Sequence, residues 1–399
     1  MIIRKQYLQQ VEPFINQDLV KIFVGIRRSG KTVLLRQIRD LLLERGVSGQ
    51  RVLLMNLESA RYRRMALAGK LYDYITEQAQ SAAGKLYIML DEVQEIPEWQ
   101  VLVNSLRVDF DCDIYLTGSN STLFSGELAT YLSGRYIRIK VYPFSLREAK
   151  ELRQQQGKFH SDEQLFTDYL KYGGLPQRFY LPDNESVETY LEDVYEAVVM
   201  RDVISRHKVK DAALMKKVLD FVLDNVGNPF SARKISGLMT SQGAKITVPT
   251  ILNYLQWFQE AFVLFAASRY DIIGKELLKT TEKYYAADLG LRNIAKSSER
   301  IDSSKLYENI VYLEMLARGY EVQVGKLQEQ EIDFICRKGQ KKIYLQVAYL
   351  INESDEVREF GNLENIADNY PKYVISGDLH DLSRNGIQHK NILRFLLDA

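Results

Sequence analysis

Eight consecutive residues, Gly25-Ile26-Arg27-Arg28-Ser29-Gly30-Lys31-Thr32, satisfy every fixed position of the spacing G-x-x-x-x-G-K-[ST]. The spacing has a chemical reason. Its glycines let the backbone curl until successive N–H groups face inward onto phosphate oxygens, and the loop feeds the positive end of a helix. Lys31 would then reach the β- and γ-phosphates of a nucleoside triphosphate, and the Thr32 hydroxyl would ligate Mg²⁺. The alternative is a glycine turn that binds nothing. The flanks favour the phosphate reading: Leu19 to Val24 is a short apolar run of strand type, and Val33 to Arg45 carries Leu34, Leu35, Ile38, Leu41 and Leu42 at helical spacing ahead of the cap residue Gly46.

A second chemical group lies downstream. Leu86-Tyr87-Ile88-Met89-Leu90 is an apolar strand that delivers Asp91 and Glu92 to the carboxyl edge of a sheet, where open α/β folds place their ligands. Asp91 would hold Mg²⁺ through water, and Glu92 would orient or deprotonate the attacking water. The next strand, from Asp113 to Leu116, ends in Thr117-Gly118-Ser119-Asn120. Asn120 or Ser119 is the candidate to sense the γ-phosphate, with helix capping the alternative for Ser119. A helical stretch from Leu123 to Tyr131 then leads to Gly134-Arg135 and a fifth strand, Tyr136 to Val141. Arg135 is placed either to stabilise charge at a neighbouring subunit's nucleotide or simply to sit on the surface.

These residues need an alternating strand and helix framework, and the sequence supplies one up to about residue 145. A length of 399 residues accommodates two to four domains, and 46% hydrophobic with 26% charged residues is ordinary for a soluble globular chain. The formal net charge of +1 excludes a globally basic nucleic-acid binder, so any such contact must come from local patches. Cys112 and Cys336 cannot form a disulfide framework, and a reducing, cytoplasmic location is the expectation. The start of the chain lacks the pattern of a signal peptide, and no apolar run of about 18 residues points to a membrane. With four histidines, none close to a cysteine, no structural zinc site is expected.

The chain resembles the AAA+ branch of phosphate-loop ATPases and, more narrowly, a widespread group of prokaryotic ATP-binding proteins in which that ATPase is fused to a C-terminal domain of uncharacterised function. The stretches that carry the resemblance are Gly25 to Thr32, Leu90-Asp-Glu-Val-Gln94 with Trp99, Thr117-Gly-Ser-Asn120, Leu132-Ser-Gly-Arg135, Pro143-Phe-Ser-Leu-Arg-Glu148, Tyr172-Gly-Gly-Leu-Pro176, Arg201-Asp202 and Asp288-Leu-Gly-Leu291. It implies an AAA+ core over 1–146 with a parallel sheet, and a helical lid over 147–210. No Asn-Lys-x-Asp sequence is present, which favours ATP over GTP.

Residues 211–287 read as a winged helix: an amphipathic helix from Ala212, a helix pair over 231–238 and 247–260, and a strand hairpin. Thr250, Asn253 and Gln256 fall on the exposed side of the second helix of that pair, with Arg233, Lys234, Lys245, Lys275 and Lys279 around it, while Ile251, Leu252, Leu255, Trp257 and Phe258 read as core. DNA binding and protein packing both fit. Residues 288–399 resemble the restriction-endonuclease-like fold, a helix with Glu308 and Glu314 followed by three strands. In that family Asp333 would be the metal-binding acid, followed on the next strand by an acid, a spacer and a lysine. Here Gln346-Val347-Ala348 stands instead, which removes an anionic ligand and a cation, so a nuclease-like domain without nuclease activity is expected. The reading is an α/β ATP hydrolase using ATP and Mg²⁺ that drives conformational change. Its candidate partners are DNA through the winged helix, a protein through the C-terminal domain, and further copies of itself; a slow ATP switch and an ATP-controlled nuclease are the alternatives.

Overall fold

In a computed structural model, which describes residues 2–67, 69–81, 84–121, 132, 134–295 and 303–398, the apolar runs of the first third become five parallel strands: β1 (Val20–Val24), β2 (Val52–Asn56), β3 (Leu86–Asp91), β4 (Cys112–Gly118) and β5 (Tyr136–Lys140). Their order is β2-β3-β4-β1-β5. Every residue of β1 and β3 is buried, as both faces of a parallel sheet covered by helices require. The helix Lys31–Glu44 buries Leu34, Leu35, Ile38 and Leu42 as one stripe against Phe23, Tyr87, Met89 and Tyr115 of the sheet. It stops at Gly46, whose φ of +84° favours glycine, with the amides of Gly46 and Val47 turned back onto the carbonyls of Leu43 and Leu42. The helix expected over 123–131 lies outside the described residues.

Lys21 is the one charge inside β1 and is wholly buried. It pairs with Asp113, whose carboxylate also accepts from the Asn16 amide at 2.8 Å and the Tyr115 hydroxyl at 2.7 Å, while the Lys21 ammonium donates to the Gln17 carbonyl at 3.0 Å. Burial holds Lys21 below the ordinary lysine pKa against the pull of Asp113. The charge is tolerated because both members are hydrogen-bonded.

Two compact units divide the chain. The first is Met1–Val141 with Glu260–Phe262, and the second is Tyr142–Gln259 with Val263–Ala399. The second unit opens with the helices Leu146–Gln155, Asp162–Tyr172 and Asn184–Ala197, each begun by a side-chain cap from Ser145, Ser161 and Asp183 respectively. Helices Ala212–Asp224, Ala232–Ser241 and Val248–Glu260 and the antiparallel hairpin β6 (Leu264–Asp271) and β7 (Glu276–Ala286) follow. The hairpin does not stand alone. It pairs through β6 with β8 (Glu321–Leu327), and with β9 (Gln330–Lys338), β10 (Lys341–Val347), β11 (Lys372–Ser376) and β12 (Gln388–Asn391) it completes a sheet of order β12-β11-β10-β9-β8-β6-β7. Leu252, read as core, is 53% exposed instead, because the buried stripe of its helix runs through Ile251, Tyr254, Leu255 and Phe258. β11 and β12 had no counterpart in the sequence reading.

The Tyr172–Pro176 and Asp288–Leu291 stretches, separate in sequence, form one knot. The Asp288 carboxylate accepts from the amides of Gly174 at 2.7 Å, Gly290 at 2.9 Å and Leu291 at 3.2 Å. Glycine is required on both sides of it: a Cβ at Gly173, where φ is +71°, would lie 2.1 Å from Asp288 Oδ1, and one at Gly290 would lie 2.3 Å from the Tyr172 carbonyl oxygen. An Asp288→Asn chain keeps the shape but turns an amide N–H₂ against backbone donors. Its Gly174, Gly290 and Leu291 amides are expected to exchange with solvent about thirtyfold faster, a loss of about 2 kcal/mol, while peptides from β1 and β3 keep their protection. Unchanged exchange at those three amides would show that the carboxylate does not hold the knot.

Candidate functional site

The loop between β1 and the helix Lys31–Glu44 is shaped by close approach. A Cβ at Gly25 would sit 2.2 Å from the Val141 carbonyl oxygen, and Gly30 has φ +96° at the residue before the helix. Lys31 is buried, and its ammonium donates to the carbonyls of Gly25 at 3.0 Å and Ile26 at 3.1 Å. Arg27 lies 3.6 Å from Glu58, and Arg28 holds a positive φ of 69°. Ser29 is fully buried, and its hydroxyl oxygen has no hydrogen-bond partner among the described residues.

Register brings the acids to this loop. Asp91 pairs with Asn56 across β2 and β3, and Thr117 follows Leu116, the β4 partner of Leu90, so three polar side chains fall in one row at the carboxyl edge. The Asp91 carboxylate accepts from the Thr32 hydroxyl at 2.9 Å, the Thr117 hydroxyl at 2.6 Å and the Asn56 amide at 3.2 Å. Burial nonetheless raises its pKa above the usual aspartate value, against the pull of those hydroxyls. Glu92 is different. Burial opposes its ionisation, but the Lys31 ammonium 4.0 Å away, the hydrogen-bonded Gln94 amide and Arg27 outweigh burial and hold its carboxyl below the usual range. Its backbone adopts a left-handed φ of +57°, a conformation that costs a non-glycine residue of order 1 kcal/mol.

Thr117 was not singled out as a site residue, yet it bridges the two acids, donating to Asp91 and accepting from the Glu92 amide at 2.8 Å. Its place at the end of β4 in the row of Asp91 was the available signal. Ser119 lies 3.5 Å from the Gln94 amide nitrogen and beside Glu92, and Asn120 is fully buried one residue on. Arg4 was also missed: buried near the chain start, it donates to the Ser29 carbonyl at 3.0 Å and so braces the loop from behind. Arg135 stands apart. It is exposed, its carbonyl accepts from the Val20 amide at the start of β1, and roughly 13 Å of strand separates that amino edge from the loop at the carboxyl edge.

The second cluster lies in the other unit, around a cavity of 800 Å³ lined by Glu308, Glu331, Asp333, Gln346 and Lys283. Lys283, from β7, lies 2.9 Å from Glu308, 2.7 Å from Glu331 and 4.0 Å from Asp333, and Glu308 also takes Lys305 at 2.9 Å and the Tyr285 hydroxyl at 2.6 Å. Burial opposes the Lys283 ammonium, but these carboxylates outweigh it and raise its pKa above the lysine value; the same lysines hold Glu308 low against burial. The Gln346 amide oxygen accepts from the Asp333 backbone at 3.3 Å, and Asp333 itself accepts from the Val347 amide at 2.8 Å. No group of three or more His, Cys, Asp or Glu side chains among the described residues is arranged to hold a metal ion. On the winged-helix expectation, Arg233, Lys234, Lys245 and Lys275 are exposed, while the Lys279 side chain lies outside the described residues. No helix among the described residues is long and apolar enough to cross a membrane.

Residues 17–150 match the AAA domain family, and residues 163–302 match a domain of unknown function. The first match contains the loop, both acids and the sheet that joins them, so this part of the chain is an AAA-type phosphate-loop domain of the kind that binds ATP. Over 398 residues, 100% of this chain and 99% of the other, the sequence is 41% identical to an uncharacterized protein of Haemophilus influenzae, and the chain belongs to the family of that protein. The uncharacterized protein MJ1544 of Methanocaldococcus jannaschii is 27% identical over 351 residues, 85% of this chain and 77% of its own length. Among solved structures, the Walker-type ATPase PABY2304 of Pyrococcus abyssi shares 15% identity, with a TM-score of 0.48 over 73% of this chain and 95% of that one.

Burial first, then the charge of Glu308, pushes Asp333 up to about 7 against the pull of Lys283, the most distant of the three carboxylate contacts of that lysine. A raised carboxyl pKa means the folded chain binds the proton more tightly than the unfolded chain. That contribution to stability is full at low pH and is lost as pH rises through 7. The melting temperature of the native chain, measured against Asp333→Asn, should therefore fall between about pH 4 and about pH 7 and level off above that. A pH-independent difference would place Asp333 ionised throughout.

Proposed function

We propose that the chain is an ATPase that hydrolyses ATP at the carboxyl edge of the five-stranded sheet. The observation that carries this is the convergence of two motifs distant in sequence, Thr32 on Asp91, 59 residues on, at 2.9 Å and Lys31 beside Glu92 at 4.0 Å. Gly25 to Thr32 would wrap the phosphates, with Lys31 neutralising their charge and the buried, unpartnered Ser29 hydroxyl available to them. Thr32 and Asp91 would hold Mg²⁺, and their hard oxygens beside a buried carboxylate suit that ion. When bound, Mg²⁺ supplies further compensation of phosphate charge. Glu92, held ionised beside Lys31, would accept the proton of the attacking water, with Gln94 and Ser119 fixing its carboxylate and Asn120 behind them.

Exposed Arg233, Lys234 and Lys245 support duplex DNA as the partner whose binding the cycle drives. The Lys283 ion pairs support a C-terminal domain that recognises rather than cuts, since an ammonium takes up the carboxylates that would otherwise face a metal.

Lys31→Ala should weaken ATP binding by about a hundredfold, whereas Glu92→Gln should bind ATP normally and turn it over about a hundred times more slowly. Equilibrium binding and steady-state phosphate release distinguish the two. ATP affinity in Lys31→Ala within about twofold of native would reject the loop, and full turnover in Glu92→Gln would move the catalytic base elsewhere.

Arg135 cannot reach the loop of its own subunit from the opposite edge of the sheet, so a charge-stabilising role requires a neighbouring copy. Turnover per protomer should then rise with protein concentration, and Arg135→Ala should lower the plateau about a hundredfold without changing ATP affinity. Concentration-independent turnover with a silent Arg135→Ala would make this arginine structural.

A further inference from the structure

A cavity of 370 Å³ lies in the second unit among the helices Leu146–Gln155, Asp162–Tyr172 and Asn184–Ala197, and it belongs to neither cluster described above. At its wall, Arg178 is 1% exposed. Its Nε donates to the Gly173 carbonyl at 2.6 Å and its Nη1 to Asp168 at 2.8 Å, but Nη2 is buried with no acceptor among the described residues. A buried N–H of a charged group without an acceptor costs of order 1–3 kcal/mol, so the fold retains this guanidinium at a penalty that a bound acceptor would remove.

The surroundings point to the charge of that acceptor. Arg153 and Lys158 line the same cavity, and Lys158 is exposed and forms no ion pair among the described residues. Burial and the neighbouring Arg178 hold Arg153 below the ordinary arginine pKa, so two like charges face each other here. Two helices of 11 and 14 residues begin at the wall with their capping residues Ser161 and Asp183. Their N-termini add positive potential. The two carboxylates of the wall are already engaged: Asp168 by Arg178 and Asp183 by the Ser186 amide at 2.8 Å. Phe159, Leu181 and Pro182 give the remaining wall an apolar character.

We propose that this cavity is a binding site for a small organic phosphate monoester, with its phosphoryl group on Arg178, Arg153 and Lys158 and its organic part against Phe159, Leu181 and Pro182. The volume lies within the usual range of small-molecule pockets, about 300–1,000 Å³. A dianion is favoured over a carboxylate because Arg178, Arg153 and Lys158 all line the cavity and a second negative charge answers more of them than a single carboxylate does. The site is separate from the ATP loop in sequence, and it makes the second unit a receptor for a phosphorylated metabolite.

The test is calorimetric titration of the full chain with phenyl phosphate and, separately, inorganic phosphate. Lys158→Glu alters an exposed side chain without a partner and leaves the fold intact, whereas Arg178→Gln removes the buried donor. Phenyl phosphate is expected to bind the native chain, to bind about tenfold more weakly to Lys158→Glu and undetectably to Arg178→Gln, and to bind Lys31→Ala as it binds the native chain. Inorganic phosphate binding more tightly than phenyl phosphate would overturn the monoester assignment. No heat up to about 10 mM ligand, or binding that is lost in Lys31→Ala but unchanged in Lys158→Glu, would overturn the site itself.

Discussion

The Asp91 carboxylate is the point on which the first unit depends. It receives Thr32 from the start of the loop helix, Asn56 from β2 and Thr117 from β4, so one buried side chain ties the phosphate loop to three strands. Its burial raises its pKa, which is the electrostatic signature of an anion held short of compensation. Glu92, the next residue, lies under the opposite balance because Lys31 reaches it. Two adjacent carboxyls are thus driven apart in proton affinity, Asp91 raised by burial against the pull of its hydroxyl partners and Glu92 lowered chiefly by Lys31.

Buried charge recurs through the chain under one rule: it is paired or it is bridged by backbone donors. Lys21 and Asp113 do this inside the first sheet, Asp288 does it with three backbone amides, and Lys283 does it with Glu308 and Glu331. The Lys283 pairing bears directly on the C-terminal domain. The position two residues after Gln346 is Ala348, and no cation returns there; a lysine arrives instead from β7 and neutralises the carboxylates. Arg178 departs from the rule through one unpartnered nitrogen.

Loop, acids and the alternation of strands and helices along the chain were legible because each is a local pattern with a chemical reason. Glycine positions, the lysine and threonine that follow, and an apolar strand ending in two acids need no knowledge of distant residues. Leu252 was misread for a reason of the same kind: periodicity locates a stripe, but in a helix with five neighbouring apolar residues it does not say which of them falls outside it. β11 and β12 went unread because a strand of five residues and one of four carry too little pattern to register.

The sequence alone determined that a phosphate loop stands between a strand and a helix, that two acids end a later strand, and that the stretch Gln346-Val347-Ala348 carries neither an acid nor a lysine. These are properties of consecutive residues. Tertiary structure decided which groups meet: Thr117 on Asp91, Arg4 behind Ser29, Asp288 in the turn at Gly173 and Gly174, Lys283 among carboxylates 25 and 48 residues away, and Arg135 at the far edge of its sheet. The physical reason is strand register and order. Neighbours across a sheet are chosen by which strands pair and by how they slide, and β1 lies beside β4 and β5 rather than β2, so proximity along the chain does not report proximity in space.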